Sequence, residues 1–186
     1  MKARMILLAI AALLTTNTRI MAQSNDKRIL VACFSATGTT ARTAERLAKI
    51  AGGEYYAITP AQPYTDADLD WHDRHSRSSV EMNDPQSRPA LAGREIDTAD
   101  YDIVFIGYPV WWDLAPRAVN TFIESHDLKG KTLVPFATSG GSGITHSVRS
   151  LKAEYPELNW GEGKLLNACS EAEIRHWTER IAAGVK

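Results

Sequence analysis

Hydroxyl-bearing side chains are concentrated in one short stretch of the chain, Ser35-Ala-Thr-Gly-Thr-Thr40, which contains four hydroxyl groups and one glycine. Hydroxyl and backbone N–H groups donate hydrogen bonds, and the unpaired N–H groups and dipole at a helix N-terminus attract anions. The chemistry available to this stretch is therefore the binding of a phosphate group by N–H and O–H donors. The alternative interpretation is an ordinary helix cap, because capping also favours Ser and Thr.

The residues on either side predict how this stretch is positioned. Ile29–Phe34 is an almost wholly apolar run, which is typical of a strand covered on both faces. From Ala41 to Ala51 the apolar residues recur at helical spacing. The pair Gly52-Gly53 predicts the end of that helix, because glycine adopts the left-handed conformation of a helix cap without steric cost. Residues 35–40 therefore form the turn of a strand–turn–helix unit.

Three other phosphate-binding turns do not fit these residues. A P-loop ends in Gly-Lys-Ser/Thr, and this turn has no lysine. The dinucleotide fingerprint needs three spaced glycines, whereas only Gly38 is present. A cysteine phosphatase loop has an arginine six positions after its cysteine, but the residue at that distance from Cys33 is Thr39. Arg42 comes too late for that role, and we expect it to face solvent.

Two further turns follow predicted strands in the same way. Tyr108–Trp112 follows the apolar strand predicted from residue 102, and Thr138–Gly143 follows the segment 131–137. The carboxyl ends of parallel strands meet at one edge of a sheet, so we expect all three turns to lie together. They would combine a phosphate cradle, flat aromatic surface and open, glycine-rich backbone.

The ordered triple of turns resembles the flavodoxins, which bind flavin mononucleotide (FMN), and especially their longer members with a Tyr-Pro-x-Trp-Trp signature. The resemblance spans Lys27 to about Val185. It implies FMN as the cofactor and assigns neither a catalytic residue nor a metal ligand. The residues that it places in the FMN site are Ser35, Ala36, Thr37, Gly38, Thr39, Thr40, Pro109, Val110, Trp111, Trp112, Thr138, Ser139, Gly140, Gly141, Ser142 and Gly143.

The alternation of strands and helices along the chain predicts an α/β fold. Five strands separated by helices form an open, doubly wound parallel sheet in the order 2-1-3-4-5, as in flavodoxins. Residues 66–82 are expected to form a helix whose apolar contacts are Leu69, Trp71 and Val80. Pro135 within the fourth strand suggests a local bulge. The last strand is expected at residues 164–168.

The N-terminus differs in kind from the rest of the chain. Residues 1–4 are basic, Met5–Leu14 is an unbroken apolar run, and residues 15–22 are polar to small. This order is typical of a secretory signal peptide, and the run is too short for a stable membrane anchor. We expect cleavage near Ala22, an exported protein and a single domain over residues 27–186.

Charge and cysteine content narrow the class of protein further. Residues 1–22 include three basic and no acidic residues, so the rest of the chain has 18 basic against 22 acidic residues, a net charge of −4. Mild acidity argues against nucleic acid as a partner. The two cysteines, Cys33 and Cys169, would stand on strands too far apart for a disulfide, and both are expected to be free and buried.

His72 and His75 stand three positions apart but lack a further ligand cluster, so a solvated face is expected rather than a metal site.

Two functions agree with these features. The first is an FMN-binding electron carrier that serves a redox partner protein. The alternative is an FMN-dependent oxidoreductase that reduces a quinone or a similar small acceptor, with NAD(P)H binding directly over the flavin. A phosphate-binding module without flavin is disfavoured by the Trp111-Trp112 pair. Of these two residues, we expect Trp111 to face the flavin and the other to serve the core.

Overall fold

A sheet flanked by helices makes up residues 27–184, which are the residues that the computed structural model describes. The predicted signal peptide at residues 1–22 lies outside them. No helix within residues 27–184 is both long and apolar enough to cross a membrane. The strands are β1 (Ile29–Phe34), β2 (Glu54–Pro60), β3 (Leu91–Ala92), β4 (Ile103–Pro109), β5 (Thr132–Thr138), β6 (Asn159–Trp160) and β7 (Lys164–Leu165). The helices are α1 (Thr39–Ala51), α2 (Arg77–Asn83), α3 (Arg117–Ser125), α4 (Thr145–Glu154) and α5 (Glu171–Ala182).

The strands are arranged in the order β3-β2-β1-β4-β5-β6, and β7 also pairs with β5. All of these pairings are parallel except that of β3, which adds two antiparallel residues beside β2. The five predicted strands correspond to β1, β2, β4, β5 and, at the fifth position, the two short strands β6 and β7. Their predicted order 2-1-3-4-5 is confirmed.

Helices cover both faces of the sheet, because the long strands are apolar on both sides. On one face, Leu47 of α1 and Trp177 of α5 pack with Val31 in one apolar cluster. On the other face, Phe122 of α3 and Leu151 of α4 pack in a second cluster. Since β1 ends at Phe34 and α1 begins at Thr39, the N-terminus of α1 lies at the turn that follows β1.

The bulge expected at Pro135 is wrong. The pairing of β5 with β4 runs without interruption from Thr132 to Thr138, and Pro135 is opposite Ile106. On its other side, β5 pairs with β6 only at its start and with β7 only near its end. Since Gly161 N–H donates to the carbonyl of Leu133 on that side, Pro135, two residues on, also points its backbone there. The missing N–H thus falls in the gap between the two short strands. The last strand, expected over residues 164–168, is present only at Lys164–Leu165.

The helix expected over residues 66–82 is wrong for most of its length. Residues 66–75 form successive turns, and only Arg77–Asn83 is helical. Aspartate side chains explain this, because Asp68, Asp70 and Asp73 each accept a hydrogen bond from a nearby backbone N–H. Such local bonds compete with the helical pattern. Trp71 and Val80 are exposed and not core contacts, and Met82 is buried in their place.

Both cysteines are free, as the sequence predicts. Cys33 is buried in the sheet, and burial raises the pKa of its thiol, so it stays protonated. Cys169 is only partly buried, which corrects the expectation for that residue.

Candidate functional site

The three turns after β1, β4 and β5 meet at one sheet edge and line a single cavity of about 610 Å³. Most of the residues predicted from sequence are in its wall, together with three that were not. The lining residues are Ser35, Ala36, Thr37, Thr39, Thr40, Leu69, Trp71, Ser78, Pro109, Val110, Trp111, Trp112, Thr138 and Gly140. The predicted residues that stand outside the lining are Gly38, Ser139, Gly141, Ser142 and Gly143.

The first turn leads into an uncapped helix N-terminus. Gly38 occupies the cap position of α1 with a φ of 83°, and no side chain accepts a hydrogen bond from the first N–H groups of the helix. The first helical turn also contains no acidic residue. These N–H groups and the positive end of the helix dipole are therefore left for an anion. The interpretation of the stretch as a plain side-chain cap does not agree with this geometry.

Arg42 is a cation beside this turn. Its side chain is exposed, as expected, and Nη2 lies 3.4 Å from the hydroxyl oxygen of Thr39. No charged side chain lines the cavity within the part of the chain that the structure describes. The site therefore offers neutral donors for an anion, with one arginine at its edge.

The third turn is joined to the other two by hydrogen bonds. A buried bond of 2.8 Å links the hydroxyl oxygens of Thr40 and Thr138. The N–H of Val110 donates to the carbonyl of Thr138 at 2.9 Å. Thr138, at the end of β5, thus holds the first turn through its side chain and the second turn through its carbonyl.

Asn167 holds the third turn from outside the cavity. Ser139 N–H donates to its Oδ1 at 2.8 Å, and its Nδ2 donates to the carbonyl of Ser139 at 2.7 Å. The Asn167 side chain thus pairs with both backbone groups of Ser139, as the backbone of a neighbouring strand would do. Sequence reasoning missed Asn167, because it is 28 residues from Ser139 and belongs to no recognisable motif.

The second turn is tight and strained. Trp111 and Leu114 exchange backbone hydrogen bonds of 2.9 and 3.0 Å, and the two residues between them, Trp112 and Asp113, have φ values of 48° and 61°. Positive φ at both central residues is the pattern of a type I′ turn, which normally uses Asn and Gly. A bulky tryptophan in that conformation is a local strain that is typical of functional sites.

The two tryptophans have different surroundings. The ring of Trp111 packs edge-to-face on Phe34 and on Tyr64, with centroids 5.5 Å apart in both pairs. The side chain of Trp112 is 44% exposed. Trp111 thus has the core contacts that the sequence analysis gave to its neighbour, although both indoles line the cavity.

The polar segment after β2, residues 64–93, which we call the excursion, supports the ring of Trp111. Tyr64 donates a short hydrogen bond to the Glu81 carboxylate, and the guanidinium of Arg77 lies over the Tyr64 ring at 4.0 Å. Burial and the neighbouring Glu81 raise the pKa of the Tyr64 hydroxyl, which therefore remains a donor. Arg77 also pairs with Glu81 at 2.6 Å. The excursion thereby fixes the ring on which Trp111 rests.

The donor set of the cavity fits FMN. Hydroxyl groups and unpaired helix N–H groups surround one end, and indole and aliphatic side chains form the rest of the wall. Gly140 lines the cavity, and a Cβ placed on it would meet no atom within 4 Å, so the space beside this residue of the third turn is free. A phosphate at the first turn and a flat ring between the second and third would use each part of this wall.

The residues and fold define a flavodoxin-type α/β protein. The family model for flavodoxin matches residues 28–181. The chain belongs to the flavodoxin family. No curated protein matches it significantly.

Solved structures agree with this assignment. The chain is similar to a candidate flavoprotein from Bacteroides eggerthii, with 63% identity, a TM-score of 0.81, and coverage of 84% of this chain and 98% of the other. It is also similar to a candidate flavoprotein from Bacteroides uniformis, with 54% identity, a TM-score of 0.79, and coverage of 82% and 98%. A flavoprotein from Lactobacillus acidophilus, solved in complex with FMN, is 22% identical over 82% of this chain and 99% of the other, with a TM-score of 0.65. That last similarity shows the shared fold.

Proposed function

We propose that this protein binds FMN in the cavity at the carboxyl ends of β1, β4 and β5 and transfers electrons through it. The observation that carries the proposal is that three turns converge on one cavity. Its hydroxyl and helix N–H donors suit a phosphate, and its indole and aliphatic side chains suit a flat ring. Membership of the flavodoxin family and the FMN in the Lactobacillus acidophilus structure support the choice of cofactor.

Each turn has a separate role in this proposal. The turn 35–40 and the N-terminus of α1 hold the phosphate, and the turns 109–112 and 138–140 hold the ring. When bound, FMN supplies the redox chemistry, since it exchanges one or two electrons. The protein orients the ring, shields it from water with Trp111 and Trp112, and keeps charged side chains out of the cavity wall.

Titration with two flavins tests the phosphate assignment. FMN and riboflavin share the ring system, but only FMN has a phosphate. We expect the protein to bind FMN far more tightly than riboflavin, and we expect Thr37→Ala to weaken FMN binding while the weak riboflavin affinity stays constant. Thr43→Ala, one turn along α1 and outside the cavity, is the matched control and should change neither. Equal binding of the two flavins would refute a phosphate site in this turn.

A second candidate function is favoured by the extent of the cavity, which reaches beyond the three turns. Leu69, Trp71 and Ser78 of the excursion extend the cavity beyond the three turns. Such an extension suits an FMN-dependent oxidoreductase that reduces a quinone or similar small acceptor. Turnover of NAD(P)H with several acceptors would support the enzyme, and facile one-electron exchange without such turnover would support the carrier.

We also infer that the mature protein is exported. The support is the basic, apolar and small-residue order of residues 1–22. N-terminal sequencing of the protein from fractionated cells should place the mature start near Gln23. A full-length N-terminus in the cytoplasmic fraction would contradict export.

A further inference from the structure

Arg117, the first residue of α3, is a buried cation without a carboxylate partner. It is only 6% exposed, and none of the ion pairs formed within residues 27–184 includes it. Burying a charge is costly unless other polar groups compensate for the lost water. The partners of this guanidinium therefore indicate what the residue does.

Those partners are two carbonyl groups at the C-terminal end of α2. Nε donates to the carbonyl of Glu81 at 3.3 Å, and Nη2 donates to the carbonyl of Met82 at 3.1 Å. The last carbonyls of a helix lack partners inside it and form the negative end of its dipole. Since α2 has seven residues and no basic residue in its last turn, Arg117 supplies the cation that this helix lacks. A helix this short is not stable by itself, so its position depends on such contacts.

α2 in turn holds the aromatic ring on which Trp111 rests. Its Glu81 carboxylate accepts the hydrogen bond from Tyr64, and its Arg77 lies over the ring of the same tyrosine. Tyr64 packs edge-to-face on Trp111, and Ser78 of α2 lines the cavity directly. A displacement of α2 would therefore move the ring side of the cavity wall.

The chain also connects Arg117 to that wall from the other side. Trp111 and Leu114 close the tight turn, and the buried residues 115 and 116 join it to Arg117 at the start of α3. The contacts thus form a closed circuit from Trp111 through Tyr64, α2 and Arg117 back to the same turn. Arg117 is the member of the circuit that joins α2 to α3.

We propose that Arg117 is a positioning residue for the flavin ring, which it serves by fixing α2 and, through Tyr64, the indole of Trp111. Arg117 is not in the cavity lining, so it acts through these residues and does not contact the ligand. This inference rests on the proposed flavin site. It assigns a role in ligand binding to a residue outside the three turns.

Titration of Arg117→Met with FMN and with riboflavin tests the proposal. Methionine fills much of the same space but donates no hydrogen bond. We expect the Kd for both flavins to rise by the same factor, roughly three- to tenfold, because the two ligands share the ring and the phosphate turn is unchanged. Arg117→Lys keeps the charge and one donor but not the planar fork that reaches two carbonyls, so it should recover part of the affinity.

Lys131→Met is the matched control. Lys131 is also a buried cation, 9% exposed, that donates to a backbone carbonyl, that of Tyr101 at 2.8 Å, and it lies outside the cavity. Both methionine variants should unfold at lower urea concentration than the wild type, but Lys131→Met should keep both flavin affinities. Unchanged flavin binding in Arg117→Met, or an equal loss in Lys131→Met, would show that Arg117 contributes only to stability. A loss confined to FMN would place its effect at the phosphate turn and would also overturn the proposal.

Unfolding of the cofactor-free protein separates this inference from the proposed function. Arg117→Met, Tyr64→Phe and the double variant form a cycle that involves no flavin. If Arg117 holds α2 against Tyr64, the double variant should lose less in urea midpoint than the sum of the single losses. Additive losses would refute the link between the two residues. Failure of the wild type to bind either flavin would instead refute the proposed function, whatever the result of the cycle.

Discussion

The hydroxyl oxygens of Thr40 and Thr138 lie 2.8 Å apart in a buried hydrogen bond, although 98 residues separate them in sequence. Thr40 is in the first turn of α1 and Thr138 is the last residue of β5. Both side chains line the cavity. This bond therefore couples the turn that we assign to the phosphate to the turn that we assign to the ring.

Replacing either threonine with valine measures the contribution of that bond to the free energy of unfolding. Thr40→Val or Thr138→Val leaves the other hydroxyl buried without this partner, so we expect each to lower the free energy of unfolding by about 1 to 3 kcal/mol. The double variant has no unpaired hydroxyl at this point, and it should lose less than the sum, with a coupling of about 1 kcal/mol. Urea unfolding of the cofactor-free proteins measures all three. Strictly additive losses would show that the two hydroxyls do not depend on each other.

The two ends of α1 provide a matched pair of glycines. Gly38 and Gly52 have φ values of 83° and 65°, so alanine at either position is strained and should cost about 1 kcal/mol of stability. Neither new Cβ meets a backbone atom, since the contact at Gly38 is the flexible end of Arg42 at 3.4 Å. The two variants should thus be equally destabilised in denaturant.

Their flavin affinities should differ. Gly38→Ala alters the turn at the start of α1 and should weaken FMN binding, whereas Gly52→Ala is at the far end of the helix and should not. Flavin fluorescence titration compares the two. Equal affinities in both variants would indicate that the phosphate is bound elsewhere.

Much of the fold could be predicted because its signals are local. The apolar run of β1 and the left-handed Gly52 depend on a few neighbouring residues, and so does the capping box of α5, in which Ser170 and Glu173 are three positions apart. The excursion was mispredicted because Asp68, Asp70 and Asp73 bind nearby backbone, and side-chain competition of this kind overrides apolar spacing.

The parts of the site that escaped prediction depend on contacts between distant segments. Asn167 lies beside Ser139 because the preceding strand β7 pairs with β5. Trp71 enters the cavity wall because the turns of the excursion direct it there, and its position in the sequence suggested a core residue. Residue type identified the turns themselves, since hydroxyl, glycine and tryptophan content is visible without any long-range information.

Stability should fall steeply at alkaline pH because of buried tyrosine. Tyr108 is fully buried, and burial raises the pKa of its hydroxyl from the ordinary value of 10.0 to about 12. The raised pKa means that the folded state favours the protonated form, so this contribution is complete below pH 10 and is lost as the pH rises through 12. We expect a loss on the order of 2 kcal/mol across that window from this residue.

Tyr108→Phe provides the check on the alkaline loss. The variant gives up the hydrogen bond of 3.0 Å to the Ser147 hydroxyl, so it should be about 1 kcal/mol less stable at neutral pH. It should also show a shallower decline between pH 10 and 12, measured by denaturant unfolding at each pH. Parallel pH curves for the two proteins would mean that Tyr108 does not titrate with unfolding.

Variants of the two adjacent tryptophans should differ in whether they lower stability or FMN affinity. Trp111 packs on Phe34 and Tyr64, so Trp111→Ala should cost about 2 to 3 kcal/mol of stability, somewhat below the cost for a fully buried ring. Trp112 is exposed and has a φ of 48°, so Trp112→Gly relieves backbone strain while it removes the indole, and stability should change by less than about 1 kcal/mol. We therefore expect Trp112→Gly to keep a normal unfolding midpoint and to lose FMN affinity. Chemical denaturation and flavin titration of both variants decide the matter, because a Trp112→Gly protein that binds FMN normally would return the ring contact to Trp111.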